Sequence, residues 1–369
     1  MELPDMTEPR VSTEAVRAFC HALPKAELHC HLLGALRRST FHELAGGKGG
    51  LSSEQIDGLY AHGEKRQGAI PGLRALEDYG LRTLDDFYRV TREYLEDARA
   101  HNVLYAEFFW NPTGSVRGSG LSYAAIQDAM VRAIHDAERD LGIVGRLVPA
   151  IDREAPPAAA IEMVEWMAAA RRDEVPGIGI DYREALGPPE WFEQAYADAR
   201  RAGLKTTAHA GEYGLPWTNV RTALDVLKVD RIDHGYTVVD QPELARRCVE
   251  SGIVFAVVPA NSYYLRTLPP DRWALDHPIR KMRAMGLRIH PNSDDPTLHN
   301  ITQTKAWTMM VEDFEFPVAD LRDFMLNGLV GAWVDADQRK AWSADWNRRF
   351  DELHLQHFGT PATPSHSVA

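Results

Sequence analysis

The sequence predicts an α/β fold: a (β/α)8 TIM barrel with a helical insertion after its first strand and a helical extension at its C-terminus. Three observations lead there. Eight short apolar runs recur along the chain, amphipathic stretches with helical spacing separate them, and 369 residues suit a closed barrel better than an open doubly wound sheet. One domain over residues 1–369 is the expected organisation.

The strands are read at 27–32 (ELHCHL), 103–109 (VLYAEFF), 146–151 (RLVPAI), 177–181 (GIGID), 205–209 (KTTAH), 231–234 (RIDH), 253–258 (IVFAVV) and 287–292 (LRIHPN). Between them, residues 123–142 place Ile126, Met130, Ile134 and Ala137 three or four apart, and ELARRCVESG follows at 243–252. Each of these stretches ends at a glycine, which suits a helix stop. The segment 33–102 is too long for a plain crossover. Its helical patterns near 51–61 and 84–100, broken at Gly68, Pro71 and Gly72, predict a lid packed over the barrel mouth. After about residue 335 the pattern turns helical and aromatic, and FGTPATPSHSVA at 358–369 reads as a disordered tail.

Composition narrows the class. No apolar run approaches the roughly 18–20 residues a bilayer demands, which argues against a membrane protein. Forty-one basic against 53 acidic side chains leave a formal charge of −12, which opposes nucleic acid as a partner. Arg37 and Arg38 read as a solvated face. Cys20, Cys30 and Cys248 are scattered without a CxxC spacing, and MELPDMTEPR has no leader pattern, so a cytoplasmic location is expected. The oligomeric state is left open.

The chemistry gathers at strand ends. His29 and His31 lie two apart, so on a strand both imidazoles share a side. An HxH pair alone arises by chance in a chain with 15 histidines. Here, however, the fifth strand ends in HAGE (His209, Glu212), the sixth in DHG (His234) and the eighth in NSDDP (Asp294, Asp295). Imidazoles and carboxylates finishing four strands at the face where barrel enzymes carry their active sites point to a metal or acid-base centre. Three imidazoles and a carboxylate with an open position suit catalytic zinc first, with iron and manganese also compatible. Such an ion lowers the pKa of a water molecule from 15.7 toward about 7.

PKAELHCHLLGA, HAGE, RIDHGY and NSDDP, in that order, resemble the adenosine deaminase group of the amidohydrolase superfamily over residues 24–335, with LRTLDDFYRV (81–90) and DHPIRKM (276–282) as further similar segments. The resemblance implies one Zn2+ per chain held by His29, His31, His209 and Asp294. It also implies that Glu212 protonates a ring nitrogen beside the attacked carbon, that His234 orients and deprotonates the water, and that Asp295 holds a second ring nitrogen.

Two departures bear on substrate. Where members of the family carry an acid that grips the ribose 5′-hydroxyl, this chain has Leu33. An unpaired polar group costs about 1–3 kcal/mol, so Leu33 tells against ordinary adenosine. After the fourth strand the chain reads DYREALGPPEW: Glu184 takes the place of a glycine whose amide meets the purine, and Gly187 replaces that glycine only in a longer loop. Leu33, Glu184 and Gly187 are thus expected, with Asp295, on the substrate side, and Tyr263 and Tyr264 near the mouth. The resulting expectation is hydrolytic deamination of an adenine-type base or modified adenine nucleoside. The alternatives are an adenosine deaminase with a substituted ribose contact and a catalytically silent binding protein.

Overall fold

The computed structural model describes residues 12–45, 50–60, 69–212, 214–260, 268–269 and 271–362. Strands β1 (Lys25–Glu27), β2 (Val103–Trp110), β3 (Val144–Asp152), β4 (Gly177–Asp181), β5 (Lys205–Ala210), β6 (Arg231–His234), β7 (Val254–Val257) and β8 (Arg288–Pro291) pair in parallel in chain order. Their apolar side chains, among them Phe108, Ile178, Ile180, Ile232, Phe255 and Ile289, are fully buried. Sheet faces covered on both sides demand such continuous apolar runs.

The first strand lies earlier and is shorter than the sequence suggests, sharing only Glu27 with the run at 27–32, and its divergence builds the site. β1 ends at Glu27, because the Leu28 N–H is taken by the Asn292 side chain (2.8 Å). The backbone nevertheless stays between its neighbours. Cys30 bridges Asp294 and His31 bridges Phe109, with the His31 N–H donating to the Asp294 carbonyl (2.8 Å) and the Asp294 N–H to the His29 carbonyl (3.0 Å). These bonds draw the ends of β1 and β8 together and bring the barrel close to closure.

Between β1 and β2 the chain forms helices Arg38–Ala45, Ser53–Leu59, Ile70–Tyr79 and Leu84–Ala100. Pro71 and Gly72 do not break a helix here. Pro71 falls in the first turn of Ile70–Tyr79, where its missing N–H costs nothing, and Gly72 is inside that helix; Gly68 lies outside the described residues. Arg37 is engaged by Asp97 through two bonds (2.8 and 2.6 Å) and Arg38 by Asp57 (2.7 Å). Helices Tyr123–Leu141 and Pro242–Ser251 stop at Gly142 and Gly252, as their pattern predicts.

The C-terminal extension consists of Asp320–Gly331 and Ala336–Phe358. Phe358, the first residue of the stretch read as a tail, belongs to that last helix, and residues 363–369 lie outside the described residues. Among the described residues no helix is long and apolar enough to cross a membrane.

Candidate active site

At the C-terminal ends of the strands, His29, His31, His209 and Asp294 converge, each offering one ligand atom, all within 4.8 Å of one another. His29 Nε2 and His31 Nε2 lie 3.2 and 3.3 Å from the same Asp294 oxygen, and His31 Nε2 lies 3.2 Å from His209 Nε2. Ligand atoms about 2.0–2.1 Å from a tetrahedral zinc stand about 3.3 Å from one another, so these separations suit that ion. His29 Nε2 and His31 Nε2 are both buried and turned to one Asp294 oxygen, an arrangement that a shared cation satisfies.

Carboxylates stand behind the imidazoles. Asp233 Oδ1 is 3.8 Å from His29 Nδ1 and its Oδ2 is 3.5 Å from His209 Nδ1, while Asp181 Oδ2 is 3.4 Å from His31 Nδ1. With their Nδ1 atoms toward these carboxylates, the imidazoles turn their Nε2 atoms to the centre, where a metal would take them. Asp233 also accepts from the Thr207 hydroxyl (2.8 Å), and Asp181 from the Asn111 amide (2.8 and 3.0 Å).

The local charges differ accordingly. Burial opposes ionisation of His31, but Asp181 and Asp294 outweigh it and hold its pKa well above the ordinary value. Burial and the neighbouring His29 push His209 down to about 4, and burial with His29 and His209 drives His234 well below its usual range. Asp294, although buried, is held ionised by His29 and His31.

His234 Nε2 lies 3.7 Å from Glu212 Oε2, and both groups, with Asp294, offer ligand atoms within 4.8 Å of one another. Asp295 sits next to this set, with Asp294 and His299. A cavity joins the centre to the insertion: His31, His209, Glu212, Asp294, Asp295 and Asp181 line one side, and Ala69, Ile70 and Leu73 supply an apolar wall. A buried polar floor beneath an apolar wall suits a flat heterocycle with hydrogen-bonding edges.

Three expected substrate-side residues are placed elsewhere. Leu33 is buried in the 3-10 turn Leu33–Ala35, and Glu184 is buried with its carboxylate on backbone N–H groups; neither they nor Gly187 line the cavity. Gly187 packs against Arg153, whose carbonyl would lie 2.2 Å from a Cβ at that position. Tyr263 and Tyr264 fall outside the described residues.

Sequence reasoning missed Asp181, Asp233, Tyr182 and His299. The two aspartates were visible as the last residue of β4 and the residue before the last of β6. Tyr182 and His299, which also line the cavity, carried no signal in the sequence pattern. Tyr182, His234 and Asp294 all have positive φ (66°, 64° and 65°), a costly conformation for side-chain-bearing residues that here turns the chain at the site.

The comparisons with known proteins agree with this geometry. The adenosine deaminase family model matches residues 24–345. An adenine deaminase of Rhodospirillum rubrum is 33% identical over 336 residues, covering 88% of this chain and 96% of that protein. The crystal structure of an amidohydrolase from Burkholderia ambifaria with bound zinc shares 58% identity at a TM-score of 0.92, covering 96% of this chain and 98% of that one. The adenine deaminase of Arthrobacter aurescens shares 29% identity at a TM-score of 0.81, covering 88% and 98%.

Proposed function

The chain belongs to the adenosine deaminase family, and on that premise we propose that it is a zinc-dependent hydrolytic deaminase of adenine, exchanging the exocyclic amino group for oxygen and releasing ammonia. The observation that carries this reading is one cavity in which His31, His209 and Asp294, clustered with His29, share a polar floor with Glu212 and Asp295, His234 standing beside Glu212.

His29, His31, His209 and Asp294 would hold one zinc ion per chain. When bound, it supplies the Lewis acidity that makes water nucleophilic at neutral pH. His234, neutral because burial and its imidazole neighbours oppose its charge, takes the proton of the attacking water and gives it to the amino group as the C–N bond breaks and ammonia leaves. Glu212, next to it, delivers a proton to the ring nitrogen beside the attacked carbon, so the ring accepts charge as its aromaticity is lost. Asp295 holds a second ring nitrogen, and Ile70 and Leu73 cover the ring face.

The free base is favoured over the nucleoside because the matched R. rubrum and A. aurescens proteins are adenine deaminases. The partner is thus a small aminated heterocycle rather than nucleic acid, which the net charge of −12 would repel, and the setting is cytoplasmic.

Ammonia release by zinc-loaded protein from adenine, adenosine and 5′-substituted adenosines tests the proposal. Adenine is expected to be turned over with the highest kcat/KM; adenosine outpacing adenine would overturn the substrate assignment. Glu212→Gln should lower kcat at least about 100-fold while zinc stays bound, and a wild-type protein inert on every aminated purine would overturn the adenine deaminase reading.

A further inference from the structure

We infer that Glu184 is a positioning residue: buried behind the cavity, it grips the backbone of the His209–Glu212 turn and thereby aims the Glu212 carboxyl. The inference rests on the proposed role of Glu212 as proton donor.

The turn begins where β5 ends at Ala210. Gly211 has φ +73°, and a Cβ there would lie 2.5 Å from Thr237 Oγ1, so the chain reverses tightly and only glycine fits. Glu212 follows at once, and its direction is set by the orientation of the two peptide groups before its side chain. Glu184 Oε1 accepts from the Gly211 N–H (2.8 Å) and from Asn219 Nδ2 (2.8 Å), while Oε2 accepts from the Glu212 N–H (3.2 Å). From the other side, Arg153 Nη2 donates to the His209 carbonyl (2.7 Å). Both residues are buried, Glu184 at 2% and Arg153 at 1% exposure, and neither lines the cavity. Two opposite charges therefore hold one short turn by its main chain, and their own side chains never reach a ligand in that cavity.

The chemistry requires a carboxylate at this position. Both its oxygens accept, so two successive amides can be held at once, with the Asn219 side chain as a third donor. Glutamine has one oxygen and one NH2 group; whichever amide meets the NH2 group faces another donor and must swing away. A residue that merely filled space behind the turn would not distinguish the two.

The test is a double-mutant cycle of Glu184→Gln and Glu212→Gln in zinc-loaded protein, read as kcat, KM, zinc content and melting temperature. Glu184→Gln is expected to lower kcat about 10- to 100-fold, with KM within about threefold and zinc retained, since general acid catalysis is worth about 100-fold or more. In the Glu212→Gln background the same change should cost no further activity, because a residue acting through Glu212 has nothing left to act on. Unchanged kcat in Glu184→Gln, or a loss that multiplies in the double variant, overturns the inference. Full turnover by Glu212→Gln alone would instead overturn the proton-donor reading. Should Glu184→Gln fail to fold, Asn219→Ala removes one donor from the same carboxylate; a smaller kcat loss that vanishes in the Glu212→Gln background supports the inference, and one that persists there refutes it.

Discussion

Gly34 and Asp295 are in such close approach that a Cβ on Gly34 would lie 1.8 Å from Asp295 Oδ1 and 2.8 Å from its Cα. The glycine that follows Leu33 in the first motif is thus the space in which the Asp295 carboxylate sits. Gly34→Ala must displace that carboxylate and its backbone. Activity on adenine is expected to fall at least about 30-fold, the equivalent of losing one buried hydrogen bond of about 2 kcal/mol. Zinc content, measured by atomic emission, should hold. Wild-type kcat/KM in this variant would remove Asp295 from the substrate site.

Asp233 lies behind two imidazoles at once, and it stays ionised although buried: burial pushes its pKa up, but His209, His29 and Arg231 bring it down to about 2. Asp233→Asn keeps the shape and removes the charge. Zinc affinity, measured by competition with a chelator, is expected to drop about 10- to 100-fold, as for other outer carboxylates of metal-bound histidines. An unaltered affinity would show that Asp233 does not tune the centre.

Arg74 ties the insertion to the barrel. Its guanidinium bonds Asp152 through both terminal nitrogens (2.7 and 2.9 Å), reaches Glu154 (3.2 Å) and lies 3.7 Å over the Tyr182 ring. The helix that carries it also presents Ile70 and Leu73 to the cavity. Lysine cannot reproduce a planar two-pronged contact. Arg74→Lys should therefore raise KM for adenine about tenfold with a smaller change in kcat, because a loosened wall weakens binding before it weakens chemistry. Equal KM values for the two proteins would detach this helix from substrate binding.

His277 supplies a pH dependence away from the metal cluster. Its Nδ1 accepts the Ile279 N–H (3.1 Å) at the start of helix Pro278–Ala284, so the ring must be neutral, and burial lowers its pKa to about 3. The unfolded chain takes up this proton near pH 6.5 and the folded one does not. The stability associated with neutral His277 is thus present above pH 6.5 and is lost as pH falls from there toward 3. At pH 5 the loss is about 2 kcal/mol. Urea unfolding at pH 7 and pH 5 should show His277→Asn, which caps without titrating, losing correspondingly less on acidification. Parallel losses in the two proteins would contradict the assignment.

Much of the architecture was legible in the chain itself. Apolar runs placed seven of the eight strands, two of them to the residue, while the first run met its strand only at Glu27; the motifs ending β5 and β8, with the HxH after β1, carried every member of the His29, His31, His209 and Asp294 cluster, because a barrel sends strand ends to one face. Periodicity failed where a backbone leaves its regular conformation. Alternation puts adjacent side chains on opposite faces, yet Asp233 and His234 both lie beside the histidine cluster, and Asp294 and Asp295 both line the cavity, because positive φ at His234 and Asp294 rotates the chain between them.

What the sequence by itself determined was the order of the elements and the chemical types brought to the barrel mouth, since both follow from local pattern. Tertiary structure alone decided the rest: that Glu184 holds a turn instead of facing the cavity, that Asp233 supports two histidines from strands far apart in the chain, and that Gly34 makes way for Asp295. Each of these depends on a distance between segments remote in sequence, set by how the barrel closes and by which buried polar groups find partners, and local pattern carries no information about either.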